Sequence, residues 1–197
     1  ITAKVRTSFV DTKSDSTAPE KPMFGLAGWT AEDRAVVAYD AYDLWRLAPD
    51  GSAATRLTQG AAEQVRHRYV HLNPDVTPVD VDHGYVSLFG DRSKKSGYGQ
   101  LASTGATRLV WLDKSVNGLF KAEDTDVFAY TVQGADDSPD LFTAGAQLTT
   151  ETQVTATNPF LANYAWGRSE LVEYTVQPKG QPKMTLQGSL YYPANYD

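Results

Sequence analysis

Cysteine is missing altogether from the 197 residues. Disulfides, zinc–thiolate centres, iron–sulfur clusters and cysteine nucleophiles are therefore excluded together. Long apolar runs are missing too. No stretch of about 18 apolar residues occurs, so no helical membrane span is expected. No basic segment followed by an apolar core opens the chain either. Ile1 rather than Met stands first, as expected of a piece cut from something longer. Positive charge is in short supply, with 24 acidic against 18 basic residues and a formal charge of -6. Binding to a phosphate backbone needs a concentrated positive field, which this composition does not provide. The tightest basic group, Arg66, His67 and Arg68, has no interleaved aromatic ladder on which bases could stack. Neither nucleic acid nor a membrane is an expected partner.

The usual signatures of catalysis are absent as well. There is no G-x-S-x-G elbow; the nearest stretch, Ser96-Gly97-Tyr98-Gly99, has no glycine two residues before its serine. Neither a P-loop nor a dinucleotide fingerprint occurs, and none of His67, His71 and His83 belongs to an H-E-x-x-H. His67 and His71 are four apart in a segment that alternates like a strand. That puts them on one face but about 13 Å apart at roughly 3.3 Å per residue, too far for a shared metal. Glu123, Asp124 and Asp126, and separately Asp136, Asp137 and Asp140, lie beside turn residues. They read as solvated carboxylates accepting local backbone N–H bonds, without the spacing of a calcium loop. For Arg66, Arg68 and Arg92 two readings stand: ion pairing at the surface or between units, or a cationic lining that holds an acidic group of a substrate. No catalytic, cofactor-binding or metal-binding residue is assigned, and no cofactor is expected; which residues touch a substrate is left open.

What the chain does contain is β-structure. Short runs rich in Val, Tyr, Phe, Leu and Thr, punctuated by Gly, Asp, Asn and Pro, recur from end to end, and helical periodicity is hard to find. Strands are expected at 35–39, 43–47, 69–72, 85–90, 98–102, 108–111, 127–132, 140–143 and 147–152. Pro49-Asp50-Gly51 makes a turn, because Pro presets φ and Gly accepts a positive φ, so the segments flanking it should pair. The pattern also repeats. Val36-Val37-Ala38-Tyr39 with Asp43-Leu44-Trp45 resembles Val127-Phe128-Ala129-Tyr130 with Asp140-Leu141-Phe142, and Arg56-Leu57-Thr58 resembles Gln147-Leu148-Thr149. These copies lie about two propeller-blade lengths apart at roughly 40–50 residues each. A middle copy is found in Tyr85–Phe89, Gly97–Leu101 and Arg108–Val110.

The expected fold is therefore all-β: a partial β-propeller of about three four-stranded antiparallel blades over residues 1–165, with units near 24–65, 66–118 and 119–165. Trp45, Tyr98 and Phe142 are the candidate third-strand aromatics that pack on a neighbouring blade. A C-terminal β-hairpin comes next at 166–197, pairing 170–176 with 186–192. The alternation of Leu171 and Glu173, and of Leu186, Gly188 and Leu190, predicts that it is half-buried. About three blades do not close a ring, so self-association of an isolated fragment is a further expectation.

With these residues in view, the chain resembles the prolyl oligopeptidase family of serine peptidases. The similar part is the final blades of the family's propeller and the passage into its α/β-hydrolase domain. The stretches that carry the resemblance are "GLAGWTAEDRAVVAYDAYDLWRLAPDG", "RHRYVHLNPD", "VSLFGDRSKKSGYGQL", "YAWGRSELVEYTV" and "LQGSLYYPANYD". The resemblance implies that the Ser-His-Asp triad belongs to a downstream hydrolase domain. This chain would then be catalytically inactive, gating and positioning short peptides for that domain. It also implies an exported bacterial enzyme, periplasmic or extracellular. The chain departs from the family at Gly99, where an aromatic is common, and at His71, where a basic residue is common. Two alternatives stand beside this reading: a TolB-like binding propeller without an attached enzyme, since D-L-W with P-D-G and a later L-T is shared with such propellers, and a free-standing β-sandwich.

Overall fold

The computed structural model describes residues 2, 5–102, 104–149 and 151–196. Its strands are β1 (Leu26–Trp29), β2 (Val36–Tyr39), β3 (Leu44–Leu47), β4 (Ala54–Arg56), β5 (Val65–Val70), β6 (Tyr85–Gly90) and β7 (Ser96–Ala102). They continue with β8 (Gly105–Leu112), β9 (Ser115–Lys121), β10 (Phe128–Gln133), β11 (Asp140–Ala144), β12 (Thr152–Gln153), β13 (Arg168–Val176) and β14 (Met184–Tyr192). Helix among the described residues is confined to short 3-10 turns at Ala31–Asp33, Gly60–Ala62 and Pro159–Asn163. Among the described residues no helix is long and apolar enough to cross a membrane.

The chain is all-β. Among the described residues three four-stranded antiparallel sheets succeed one another in sequence, β1-β2-β3-β4, β5-β6-β7-β8 and β9-β10-β11-β12, with the β13–β14 pair as a separate two-stranded sheet and no closed barrel. Each four-stranded sheet is a meander, because every connection joins hydrogen-bonded neighbours. The Pro49-Asp50-Gly51 turn does join a pair, β3 and β4. Gly51 takes a φ of 74° there and donates its N–H to Ala48 O at 2.9 Å.

Period-two alternation makes the middle sheet two-sided. Val86 and Leu88 turn one way, meeting Val37, Tyr39 and Leu44 of the first sheet in a shared core. Tyr85 turns the other way, joining Tyr98 and Val110 against Phe128, Tyr130 and Val132 of the third. Val37, Val86 and Tyr130 have no exposed surface. Each side chain so buried contributes roughly 1.5–3 kcal/mol, and this is what holds sheet on sheet. The other face of the first sheet, Val36, Ala38 and Leu47, packs with Val5, Phe9 and Trp45.

The three candidate third-strand aromatics do different work. Tyr98 bridges sheets: its ring meets Tyr130 edge-on at 6.2 Å and its hydroxyl accepts the Leu119 N–H at 3.1 Å. Phe142 belongs to the same core but stacks on Tyr130 of its own sheet. Trp45 packs edge-on against Phe9, with ring centroids 6.2 Å apart, in the cluster on the other face of the first sheet.

Other expectations are corrected in detail. The strand expected at 69–72 runs instead over Val65–Val70, and His71 lies beyond it. Of the strand expected at 147–152, residue 150 lies outside the described residues; Leu148, with φ of 50°, closes a turn by donating its N–H to Gly145 O at 2.8 Å, and strand begins only at Thr152 in the two-residue β12. The unit boundary expected at 118/119 falls inside β9. The C-terminal hairpin forms, in the register Leu171↔Ser189 and Tyr174↔Leu186. Leu171 therefore lies on the opposite face from Leu186 and Leu190, and neither face is buried: these leucines are 40%, 38% and 44% exposed.

Candidate functional site

Asp43 and Asp140 each open a D-L pair at the third strand, in the first and third sheets respectively, and each ties that strand to the segment leaving the fourth. Asp43 Oδ1 accepts the Thr58 hydroxyl at 2.8 Å and the Gly60 N–H at 2.5 Å, while the Leu44 N–H donates to Thr58 Oγ1 at 3.1 Å. Asp140 Oδ1 accepts the Thr155 hydroxyl at 2.9 Å and the Thr157 N–H at 2.7 Å, while the Leu141 N–H donates to Thr155 Oγ1 at 2.9 Å. The sequence separations agree between the two copies, |i−j| being 15, 17 and 14 in each. Thr155, not Thr149, is therefore the counterpart of Thr58. These hydrogen bonds hold Asp140 below the ordinary carboxylate pKa, the Thr157 N–H contributing most. Asp140 is thus a buried structural clasp, not a solvated turn carboxylate. The other members of the acidic groups are exposed, and Asp126 and Asp137 pair with Lys121 and Lys114 at 3.4 and 3.9 Å.

The three histidines are placed far apart in role. His67 is buried between the first two sheets, with Nδ1 3.0 Å from Val65 O and 3.3 Å from Tyr42 O, so Nδ1 carries the proton. Burial pushes its pKa below the ordinary value, against the pull of Asp43. Gly60 lies against this ring: a Cβ there would sit 2.6 Å from His67 Nδ1 and 1.9 Å from Val65 O, so only glycine fits. His71 Nε2 lies 2.9 Å from Ala27 O, and exposed His83 lies 3.8 Å from the Asp80 carboxylate. Gly99, the other departure from the family pattern, is in a bulge between β7 and β8, where a Cβ would come within 2.8 Å of Thr107 O. A side chain there would collide with backbone.

Of the three arginines, the structure brings two together. Arg66 and Arg68 line a cavity of about 500 Å³ together with the Thr7–Lys13 segment, Phe24, Tyr42 and Asp91. Arg66 pairs with Asp91 at 2.7 Å and lies 4.8 Å over the Phe89 ring. Arg68 donates to three carbonyl oxygens, His67 O at 2.7 Å and Asp40 O and Ala41 O at 3.3 Å, and sits 4.7 Å over the Tyr39 ring. Arg92 turns away to the hairpin, 3.7 Å from Glu173, and its carbonyl accepts the Gln187 amide at 3.0 Å. For Arg66 and Arg92 the ion-pair reading holds.

Asp40 completes this region, although it belongs to none of the acidic groups that stand out in the sequence. Its Oδ1 accepts the Tyr42 and Asp43 N–H groups at 2.9 and 2.6 Å, and its Oδ2 accepts the Trp45 indole N–H at 2.8 Å. The A-Y-D-A-Y-D-L-W spelling carries that signal, because an Asp two or three residues before N–H groups it can reach is the mark of an Asx turn. Among the described residues no three His, Asp or Glu side chains converge as a metal site would require. No known protein-family model and no curated protein matches this chain.

Proposed function

We propose that the chain is a partial β-propeller of a prolyl-oligopeptidase-like serine peptidase, a non-catalytic segment that gates and positions short peptides for an α/β-hydrolase domain of the same polypeptide. The observation that carries this reading is the succession of the three four-stranded meanders. The middle sheet buries one face on the sheet before it and the other on the sheet after it. Blades of a propeller pack in that serial way, whereas a sandwich stacks two sheets face to face. The clasp that recurs at the same spacing in the first and third sheets supports repetition of one unit. The peptidase assignment rests on the resemblance carried by the sequence stretches quoted above.

In this reading the segment does no bond chemistry. It restricts access by size and excludes water from a site whose nucleophile and base are supplied elsewhere. Two measurements test it. The protein as it stands should hydrolyse no p-nitroanilide peptide and should take no label from a fluorophosphonate probe; labelling of one of its serines would overturn the non-catalytic assignment. Reading the gene past the codon for Asp197 should reveal a hydrolase sequence with G-x-S-x-G. A stop codon or further propeller sequence there would instead make the chain a TolB-like binding module.

A further inference from the structure

We propose that the cavity beside Arg68 is a binding site for a carboxylate, with the Arg68 guanidinium as its anchor. The cavity is walled by the Thr7–Lys13 segment, the turn between β2 and β3, and β5. Its volume of about 500 Å³ falls in the range of small-molecule sites. Its lining carries three cationic side chains, Lys13, Arg66 and Arg68, against two carboxylates, Asp11 and Asp91, in a chain whose formal charge is -6.

The local carboxylates are already committed. Asp91 holds Arg66 at 2.7 Å. Asp11 Oδ1 accepts the Lys13 backbone N–H at 3.1 Å. Asp40, whose carbonyl oxygen Arg68 touches, spends both side-chain oxygens on the Tyr42, Asp43 and Trp45 N–H groups. Arg68 is left with three neutral carbonyl acceptors and the Tyr39 ring, and among the described residues it has no carboxylate partner. A guanidinium has five N–H donors, so two remain for a ligand. Burial lowers the pKa of Arg68, which reports a cation held in a poorly solvated place; an anion brought beside it would gain more there than in open water.

The donors select the ligand: the two N–H groups left on one guanidinium suit the oxygens of a single carboxylate. Val10, Phe24 and Ala41 in the same lining give an aliphatic stem something to pack on. That the carrier is a short peptide rests on the proposed function; the preference for a carboxylate does not.

The test is a titration of the whole protein, monitored through the arginine Nε–H resonances in a ¹H–¹⁵N spectrum, with four probes. These are butyrate, acetyl-Ala-Glu-Ala-amide, its Gln counterpart, and acetyl-Ala-Ala-Ala with a free C-terminal carboxylate. The Arg68 resonance should move with butyrate and with at least one acidic peptide, and that peptide should bind about tenfold more tightly than the Gln peptide. Comparison of the two acidic peptides tells a side-chain carboxylate from a chain terminus. Arg68→Gln should abolish the preference, and Arg68→Lys should keep part of it. Movement of Arg68 with butyrate but with no peptide would keep the carboxylate site and count against peptides as its ligands. An unmoved Arg68 signal with all four probes would overturn the site even if the Arg68→Gln protein failed to fold. Equal binding of the Glu and Gln peptides, or a preference that survives Arg68→Gln, would also overturn it.

Discussion

The carboxylate of Asp43 accepts the hydroxyl proton of Thr58 at 2.8 Å, and both residues are wholly buried. The bond spans the hairpin of β3 and β4, so it ties the start of the third strand to the residues that leave the fourth. Thr58 is used twice, since its oxygen also accepts the Leu44 N–H. Thr58→Val keeps the shape and removes both interactions, leaving a buried amide and a carboxylate oxygen short of a partner. The expected loss is about 1–3 kcal/mol, read as a lower urea midpoint with an unchanged slope. A variant that unfolds with the parent would show that the clasp contributes nothing.

Tyr98 joins the second sheet to the third through one hydrogen bond, from the Leu119 N–H to its hydroxyl at 3.1 Å. Tyr98→Phe keeps the ring contact with Tyr130 and strands that amide in the core. Stability should fall by about 1–3 kcal/mol, and the Leu119 amide should exchange faster than those of β6. Unchanged exchange at Leu119 would mean that the hydroxyl does not secure β9.

From neutral pH downward two groups, His67 and Asp140, make stability depend on pH, and both act in the same direction. His67 is held below the ordinary imidazole value by burial, so below about neutral pH the unfolded chain takes up the proton first. Its contribution is complete above the unfolded value of 6.5 and is lost as pH falls through the lower folded value. His67→Asn, whose amide can still donate to Val65 O, should flatten the slope of stability between about pH 7 and pH 5. Asp140 acts at the acid end: its depressed value gives stability above the unfolded 3.8 that disappears as pH falls through the folded value. Asp140→Asn should remove that second phase alone. A His67→Asn protein with the parent slope near pH 6 would contradict the first assignment.

The strand content is largely legible in the sequence because buried strands advertise themselves. Tyr85–Gly90 places Tyr85, Val86, Leu88 and Phe89 within six residues, and it forms a strand with those bounds. β9 is masked because Asn117-Gly118 spells a hairpin turn. In the structure Gly118 takes a φ of 63° within β9, at the register shift where β9 pairs with β10. β1 is hidden by its two glycines, Gly25 before it and Gly28 within it, both at positive φ.

The clasp is half visible. Asp43 and Asp140 align in the sequence, but Leu148-Thr149 imitates the partner motif of Leu57-Thr58. The true partner, Val154-Thr155, comes after a strand of only two residues. The repeat also slips by one residue: Tyr39 pairs with Leu44, whereas Thr131, not Tyr130, pairs with Leu141. Such a slip exchanges the two faces of a strand. The cavity beside Arg68 is only partly marked in the sequence: Arg66, Arg68 and Arg92 stand out together as a possible cationic lining, and Arg68 is separated from the other two only by the commitment of Asp91 to Arg66, of Glu173 to Arg92 and of Asp40 to N–H donors.

The most direct test of the account exploits the absence of cysteine, which allows paired spin labels to be placed without background. Labels at exposed Trp29, Arg66 and Asn117 report the first strands of the three sheets, and labels at Thr55, Thr107 and Thr152 report the fourth. If the sheets fan out from an axis, sheet-to-sheet distances at one of these edges will be consistently shorter than at the other. Equal distances at both edges would describe parallel layers and contradict the propeller reading on which the proposed function rests.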